Sequence, residues 1–187
     1  LEELKQIEKS QTLERAQYYL NRLEKSMSEV KTSTINDINL NRWKEYEDII
    51  TDSLWQIDER DSSGVHTADY WGNFIPQIPQ QMIQRYAKEG DWVLDCFSGS
   101  GTTLIETQRL KRNGIGIELQ KDVANASRKL IRSEQKQSTV TADVICGNST
   151  TMDYLKILEN YGIETVQLVI LHPPYFDIFK FSENPED

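Results

Sequence analysis

Hydrophobic positions fall into two regimes along the chain. In the first, Leu4, Ile7, Ala16, Leu20, Leu23, Met27 and Val30 recur mostly at three- and four-residue steps among Glu, Lys, Gln and Arg. This spacing predicts an amphipathic helix over residues 1–30. A Thr-, Ser-, Asn- and Asp-rich connector follows at 31–41. Trp43, Tyr46, Ile49, Ile50 and Leu54 then share one face of a predicted second helix from Asn41 to Ile57. In the second regime short apolar runs alternate with helical spacing. Trp92–Phe97, Ile115–Leu119, Val140–Cys146 and Val166–Leu171 read as strands, the last apolar enough to be buried on both faces. Between them lie helical patterns from Pro79 to Lys88, after Thr103, from Asp122 to Gln135 and from Met152 to Tyr161. In the third of these, Val123, Ala126, Leu130 and Ile131 point inward. Thr103 and Glu106 form a Thr-x-x-Glu start signal, and Asn113-Gly114 reads as a helix end.

Four βα units in succession predict a parallel sheet with right-handed crossovers, so the fold class is α/β with a helical segment in front. Binding sites of such sheets gather at the carboxyl ends of the strands. Asp95, Glu118, Asn148 and His172 each lie at one of those ends. The organisation expected is a helical segment at 1–60 and an α/β domain at 61–187.

Composition narrows the class. The chain has 187 residues, 37% of them hydrophobic, and a net charge of −9, enough for one domain and an accessory segment. Residues 1–60 hold nine basic and thirteen acidic side chains, a balance of −4 that leaves −5 for the remainder. No basic half is hidden in the total, so any positive surface for a nucleic acid is local or lies on another chain. No run approaches a membrane span, and residues 1–10 carry charge throughout, unlike a signal peptide; a cytoplasmic protein is expected. Cys96 and Cys146, with His66 and His172 elsewhere, show no metal-ligand spacing. The two cysteines read as buried, reduced thiols, and no metal is expected.

The chemistry centres on Trp92-Val93-Leu94-Asp95-Cys96-Phe97-Ser98-Gly99-Ser100-Gly101-Thr102-Thr103, which reads as strand, tight turn and helix start. Gly99 and Gly101 permit positive φ, so a small ligand can lie against main-chain N–H groups there. A P-loop would carry Lys where Thr102 stands, and a dinucleotide fingerprint a third glycine where Leu104 stands. Asp95 at the strand end would repel a pyrophosphate and could attract an ammonium group.

Asp95-x-Phe97-x-Gly99-x-Gly101-Thr102-Thr103 resembles the first motif of S-adenosylmethionine-dependent DNA amino-methyltransferases. The resemblance implies a Rossmann-like methyltransferase sheet in which the strand-end acid and the glycine turn hold the methionine part of the cofactor. Glu118, 23 residues after Asp95, resembles the acid that accepts from the ribose hydroxyls. Asn148, in Gly147-Asn148-Ser149, stands where the family usually has an acid for the adenine amino group. Its amide can accept that bond or donate to a ring nitrogen. Upstream, Phe74 and Pro76 resemble the family's motif near the methionine end, and Trp71 and Phe74 also suit core packing.

His172-Pro173-Pro174-Tyr175 resembles the catalytic tetrapeptide, which usually begins with Asp, Asn or Ser. An aromatic amino group is a poor nucleophile, and two acceptors gripping its hydrogens would free its lone pair for attack on a sulfonium methyl. In this reading His172 is one acceptor, the Pro173 carbonyl is the second, and Tyr175 stacks on a base taken out of the helix. A neutral imidazole can accept one hydrogen bond, and imidazolium none. The expected function is site-specific methylation of adenine or cytosine in DNA, in restriction-modification or a related system. Methylation of RNA or protein glutamine, a noncatalytic cofactor-binding module and a helical interaction protein are the alternatives. Four of the family's seven strands are evident, so the catalytic domain is expected to be incomplete at its carboxyl end. The fourth strand is then an exposed edge unless another chain covers it. Residues 1–30 either pack on the main domain or mediate association with a partner or a second copy.

Overall fold

A computed structural model describes residues 2–28, 32–39, 42, 46–70, 72–134 and 139–175. Its centre is a four-stranded parallel sheet of β1 (Trp92–Asp95), β2 (Asn113–Glu118), β3 (Ala142–Cys146) and β4 (Leu168–Ile170), in the order β3-β2-β1-β4. The predicted α/β class and all four strands are present. Helices α3 (Gln77–Tyr86), α4 (Thr102–Arg109), α5 (Lys121–Glu134) and α6 (Tyr154–Asn160) connect or flank them. Side chains alternate across a strand, so consecutive residues serve opposite layers. Leu94, Ile115 and Ile117 pack with Ile157 of α6 on one face. Val93 meets Ile83 of α3 and Val144 meets Leu104 and Ile105 of α4 on the other. The fully buried Ile115 and Ile117 each contribute roughly 1.5–3 kcal/mol by leaving water.

Helix α4 lies close over β2 because two glycines make room for it. A Cβ at Gly114 would stand 2.6 Å from Thr107 Oγ1, and one at Gly116 would stand 2.9 Å from Leu104 Cδ1. Asn113-Gly114 therefore opens β2 instead of closing the preceding helix. The left-handed residue after α4 is Lys111, at φ 60°. The inward stripe of α5 is Ala124, Ser127 and Ile131, with Ala126 exposed. Ser127 and Ile131 of this stripe lie directly against Gly101, where a Cβ would collide with the Ser127 hydroxyl.

The helical first third differs from the sequence reading. Residues 2–28 form two helices, α1 (Glu2–Glu8) and α2 (Leu13–Ser28). The Ser10 hydroxyl donates back to the Gln6 carbonyl, and Thr12 Oγ1 accepts from Arg15 N to start α2 afresh. Val30 and Trp43 lie outside the described residues. From Tyr46 to Ile57 the chain is not helical. The buried Gln81 of α3 accepts from Ile50 N at 2.8 Å and donates to the Asp48 carbonyl at 2.6 Å. Those backbone groups bind α3 in place of their own helix. Upstream, Asn36 donates to the Arg85 carbonyl, and Asp37 accepts from Arg112 and from Glu89 N.

Three further expectations are corrected. Strand β4 is an edge of the described sheet, with Val169 47% and Leu171 64% exposed, so it is not buried on both faces. Cys96 is buried, but Cys146 is exposed just beyond the sheet's cover. Helix α4 is capped by Gly101 in the left-handed region with no side-chain cap. Glu106 does not turn back to a capping box and instead bonds His66 and Arg109. None of the described helices is long and apolar enough to cross a membrane.

Asp95 shares its strand face with Val93 and lies under the start of α4, 1% exposed. Its Oδ1 accepts from Phe97 N at 3.0 Å, while Oδ2 has no protein partner. Burial pushes its pKa up to about 6, opposed in part by the nearby Thr103 hydroxyl and by the Phe97 bond. The folded state thus binds this proton more tightly than the unfolded state. The stabilisation is complete below the ordinary value of 3.8 and is lost as pH rises through about 6. The cost of an ionised Asp95 at neutral pH is about 3 kcal/mol. Asp95→Asn should therefore exceed wild type in urea-unfolding free energy by about 1–3 kcal/mol near neutrality, where the charge cost is greatest. The gap should close toward pH 4, and parallel pH curves would contradict the assignment. Gly101→Ala should cost more than about 2 kcal/mol, combining left-handed strain with the Ser127 contact. Gly90→Ala, at φ 86° with open space around it, should cost about 1 kcal/mol.

Candidate active site

Strand register decides which strand-end residues reach open space. Asp95 pairs with Gly116 and Ile170, and Gly116 pairs with Val144. Two residues beyond that row stand Phe97, Glu118, Cys146 and His172, about 7 Å further out at about 3.3 Å per residue. Three of these four line a cleft that encloses about 910 Å³ of empty space counting its open mouth; Cys146 does not.

The cleft draws one wall from each strand end. The turn after β1 brings Phe97, Ser98 and Gly99, and β2 brings Ile117, Glu118 and Leu119. The turn after β3 brings Asn148, Ser149 and Thr150, and β4 leads into His172, Pro173, Pro174 and Tyr175. A fifth wall is the loop with Tyr70, Gly72, Asn73 and Phe74. All four residues of the tetrapeptide and six of the expected cofactor residues thus meet: Phe74, Phe97, Gly99, Glu118, Asn148 and Ser149. Pro76, Asp95, Gly101, Thr102 and Thr103 do not reach the cleft. Pro76 caps α3, Gly101 caps α4, and the other three are buried beneath the turn. Asp95, expected to meet a ligand ammonium group, is buried beside the turn, where its carboxylate accepts from Phe97 N.

The polar groups at the cleft are held by backbone. Glu118 Oε2 accepts from Gly99 N at 3.0 Å and Oε1 from Gln120 N at 2.8 Å, which fixes the carboxylate before any ligand arrives. Glu118 is the one charged side chain among the described lining residues. Asn148 Oδ1 accepts from Thr150 N and Oγ1 within its own turn. Ser149 donates to the Cys96 carbonyl, stapling the β3 turn to the β1 turn. His172 lies against Phe74, with ring centroids 4.8 Å apart, and its Nε2 is 3.1 Å from the Tyr175 hydroxyl. Burial lowers its pKa below 6.5, so the ring is neutral at physiological pH.

The loop wall was missed at residue level apart from Phe74. Tyr70 lies over the glycine turn, so a Cβ at Gly99 would fall 2.8 Å from its ring. Asn73 accepts from the Thr102 hydroxyl and donates to the Thr67 carbonyl. Arg60 donates to the carbonyls of Thr67, Asn73 and Phe74 and clamps the loop. The aromatic cluster Tyr70-Trp71-Gly72-Asn73-Phe74 was the available signal; Trp71 lies outside the described residues. A second cluster sits away from the cleft, where Asp61, His66 and Glu106 bring potential ligand atoms within 4.8 Å of one another. Arg109 bonds both carboxylates at 3.3 Å, so a guanidinium already supplies the positive charge there.

The family described as DNA methylase matches residues 3–129. The matched span takes in the N-terminal helices, which the motif resemblance does not reach, and ends before Asn148. The chain is similar to the Type II methyltransferase M2.DpnII of Streptococcus pneumoniae, 34% identical over 101 residues, which cover 52% of this chain and 34% of that protein. It is similar to M.MjaII of Methanocaldococcus jannaschii, 41% identical over 56 residues, or 30% of this chain and 10% of that protein. A solved RNA methyltransferase from Salinibacter ruber in complex with S-adenosyl-L-homocysteine superposes with a TM-score of 0.42 at 22% identity. That alignment covers 53% of this chain and 59% of the other. The chain spans about a third or less of the length of the curated relatives it matches. With the family match across more than half of its residues, the chain belongs to the DNA methylase family.

Proposed function

We propose that this chain carries the cofactor cleft and catalytic tetrapeptide of a site-specific DNA amino-methyltransferase, acting on adenine or cytosine in a cytoplasmic restriction-modification or related system. The observation that carries the reading is the meeting of the glycine turn, Glu118, Asn148 and His172–Tyr175 at one cleft. The residues fit S-adenosylmethionine. Apolar Phe97, Ile117 and Leu119 can flank its adenine, Glu118 is preset to accept from ribose hydroxyls, and no described lining cation competes with a sulfonium. When bound, the cofactor supplies an electrophilic methyl group.

The residues of the chain do the rest. Neutral His172 accepts one hydrogen of the target amino group and can take the proton that nitrogen releases. The Pro173 carbonyl accepts the other hydrogen, held by consecutive proline rings. Tyr175, 53% exposed, offers a stacking face to an extruded base. For a partner chain or a second copy, the proposed surfaces are exposed apolar Leu13, Tyr18 and Met27 of α2 or the edge strand β4 of the described sheet; their exposure supports this.

Titration calorimetry should show saturable S-adenosylmethionine binding that Glu118→Ala weakens at least tenfold, the scale of a lost charge-assisted hydrogen bond. A folded wild type that binds no cofactor would sink the reading. Tritium transfer to DNA should exceed transfer to RNA or peptide. The transferring form of His172 is the neutral ring, so single-turnover rates should be flat above pH 6.5. They should fall with unit slope only below the lowered pKa. His172→Asn should abolish that acid limb while keeping transfer, and His172→Phe should lose roughly 10²–10⁴-fold. An acid limb that persists in His172→Asn belongs to another group and removes His172 from this role.

A further inference from the structure

The position of the Tyr175 hydroxyl adds a step that stacking alone does not require. Tyr175 Oη lies 3.1 Å from His172 Nε2, and the two rings stand edge to face at 5.7 Å and 88°. Phe74 covers the imidazole from another side. A neutral imidazole has one acceptor nitrogen and one N–H. A phenol O–H is a better donor than an imidazole N–H, so the favourable arrangement has Tyr175 donating and Nε2 accepting. The nitrogen needed for the target amino group is then already engaged.

We infer that Tyr175 is a gate on the acceptor nitrogen of His172: its hydroxyl holds Nε2 in the resting arrangement, and the amino group of an entering base must displace it. The inference rests on the reading of His172 as the amino-group acceptor. Tyr175 is half exposed, so its ring can swing to stack on the base as the hydroxyl lets go. The exchange favours a base that presents an N–H donor at that point, as adenine and cytosine do. Thymine presents a carbonyl oxygen there and leaves the tyrosine bond intact. The gate thereby adds discrimination by chemistry to discrimination by shape.

Histidine-ring 15N spectra of the full chain above pH 6.5, without cofactor or DNA, test the arrangement. The chain has two histidines, and His172→Asn identifies the signals of His172 by their loss. The expected spectrum shows Nδ1 protonated and Nε2 shifted as a hydrogen-bond acceptor, with Nε2 moving to the free imine position in Tyr175→Phe. A ring protonated at Nε2, or an Nε2 signal indifferent to loss of the hydroxyl, overturns the gate. If the phenylalanine variant does not fold, Tyr175→Leu gives the same comparison. In single-turnover transfer at limiting DNA, Tyr175→Phe should gain up to about tenfold, the factor for one neutral hydrogen bond. A slower phenylalanine variant also overturns it. A wild type that transfers no methyl group bears on the enzyme reading, and the spectra still decide the gate.

Discussion

The glycine turn after β1 is the constraint on which the rest of the site depends. Ser98 N donates to the Ile117 carbonyl and Gly101 N to the Ser98 carbonyl, both at 2.8 Å, so the turn is locked to β2 as well as to itself. Gly99 and Gly101 hold φ of 50° and 88°. Each of these angles is matched by a close neighbour, Tyr70 over Gly99 and Ser127 under Gly101. A side chain at either glycine would strain the backbone and also push on a second element. Through these contacts the turn sets the height of α4 and α5 on one side and of the 70–74 loop on the other. The cleft walls are thereby fixed relative to one another before any ligand is bound.

The two acids at adjacent strand ends show how register separates residues that look alike in sequence. Asp95 and Glu118 both close an apolar run, and both lie on the sheet face that α4 covers. Asp95 pairs with Gly116, so Glu118 stands two residues further along. That stagger carries Glu118 past the end of the helix, where the Gly99 amide and open space meet it. Asp95 stays under α4, desolvated and with one oxygen lacking a protein partner. One acid is thus a candidate ligand contact and the other a brace whose charge is costly. Register is a property of pairing, so only the strand ends were legible in the chain, and not their levels.

Elements whose residues pack on their own neighbours were legible, and those defined by distant side chains were not. The four βα units follow local periodicity, and each was found within a few residues of its bounds. The segment 46–57 carries helical spacing yet loses the helix, because Gln81, more than 30 residues away, takes its backbone groups. Glu106 sits three residues after Thr103, a capping spacing, yet is claimed by His66, 40 residues upstream. The loop wall of the cleft depends on Arg60 reaching carbonyls up to 14 residues off. In each case two or three hydrogen bonds, at least one of them long-range, outweigh a propensity worth a few tenths of a kcal/mol per residue.

The same reasoning bears on why a histidine can stand where the family pattern has an acid, an amide or a hydroxyl. The position lies against Phe74, and the pKa of His172 falls because burial there disfavours charge. An aspartate at that point would be an ionised group desolvated against an aromatic ring, in a cleft whose one other charge among the described lining residues is also negative. A neutral imidazole carries an acceptor lone pair without a charge, so the apolar wall that costs an acid favours the form of the histidine that the proposed role requires. The aromatic surroundings and the unusual residue are therefore one feature. Burial beside Phe74 favours the neutral ring, and only the neutral ring has an acceptor nitrogen.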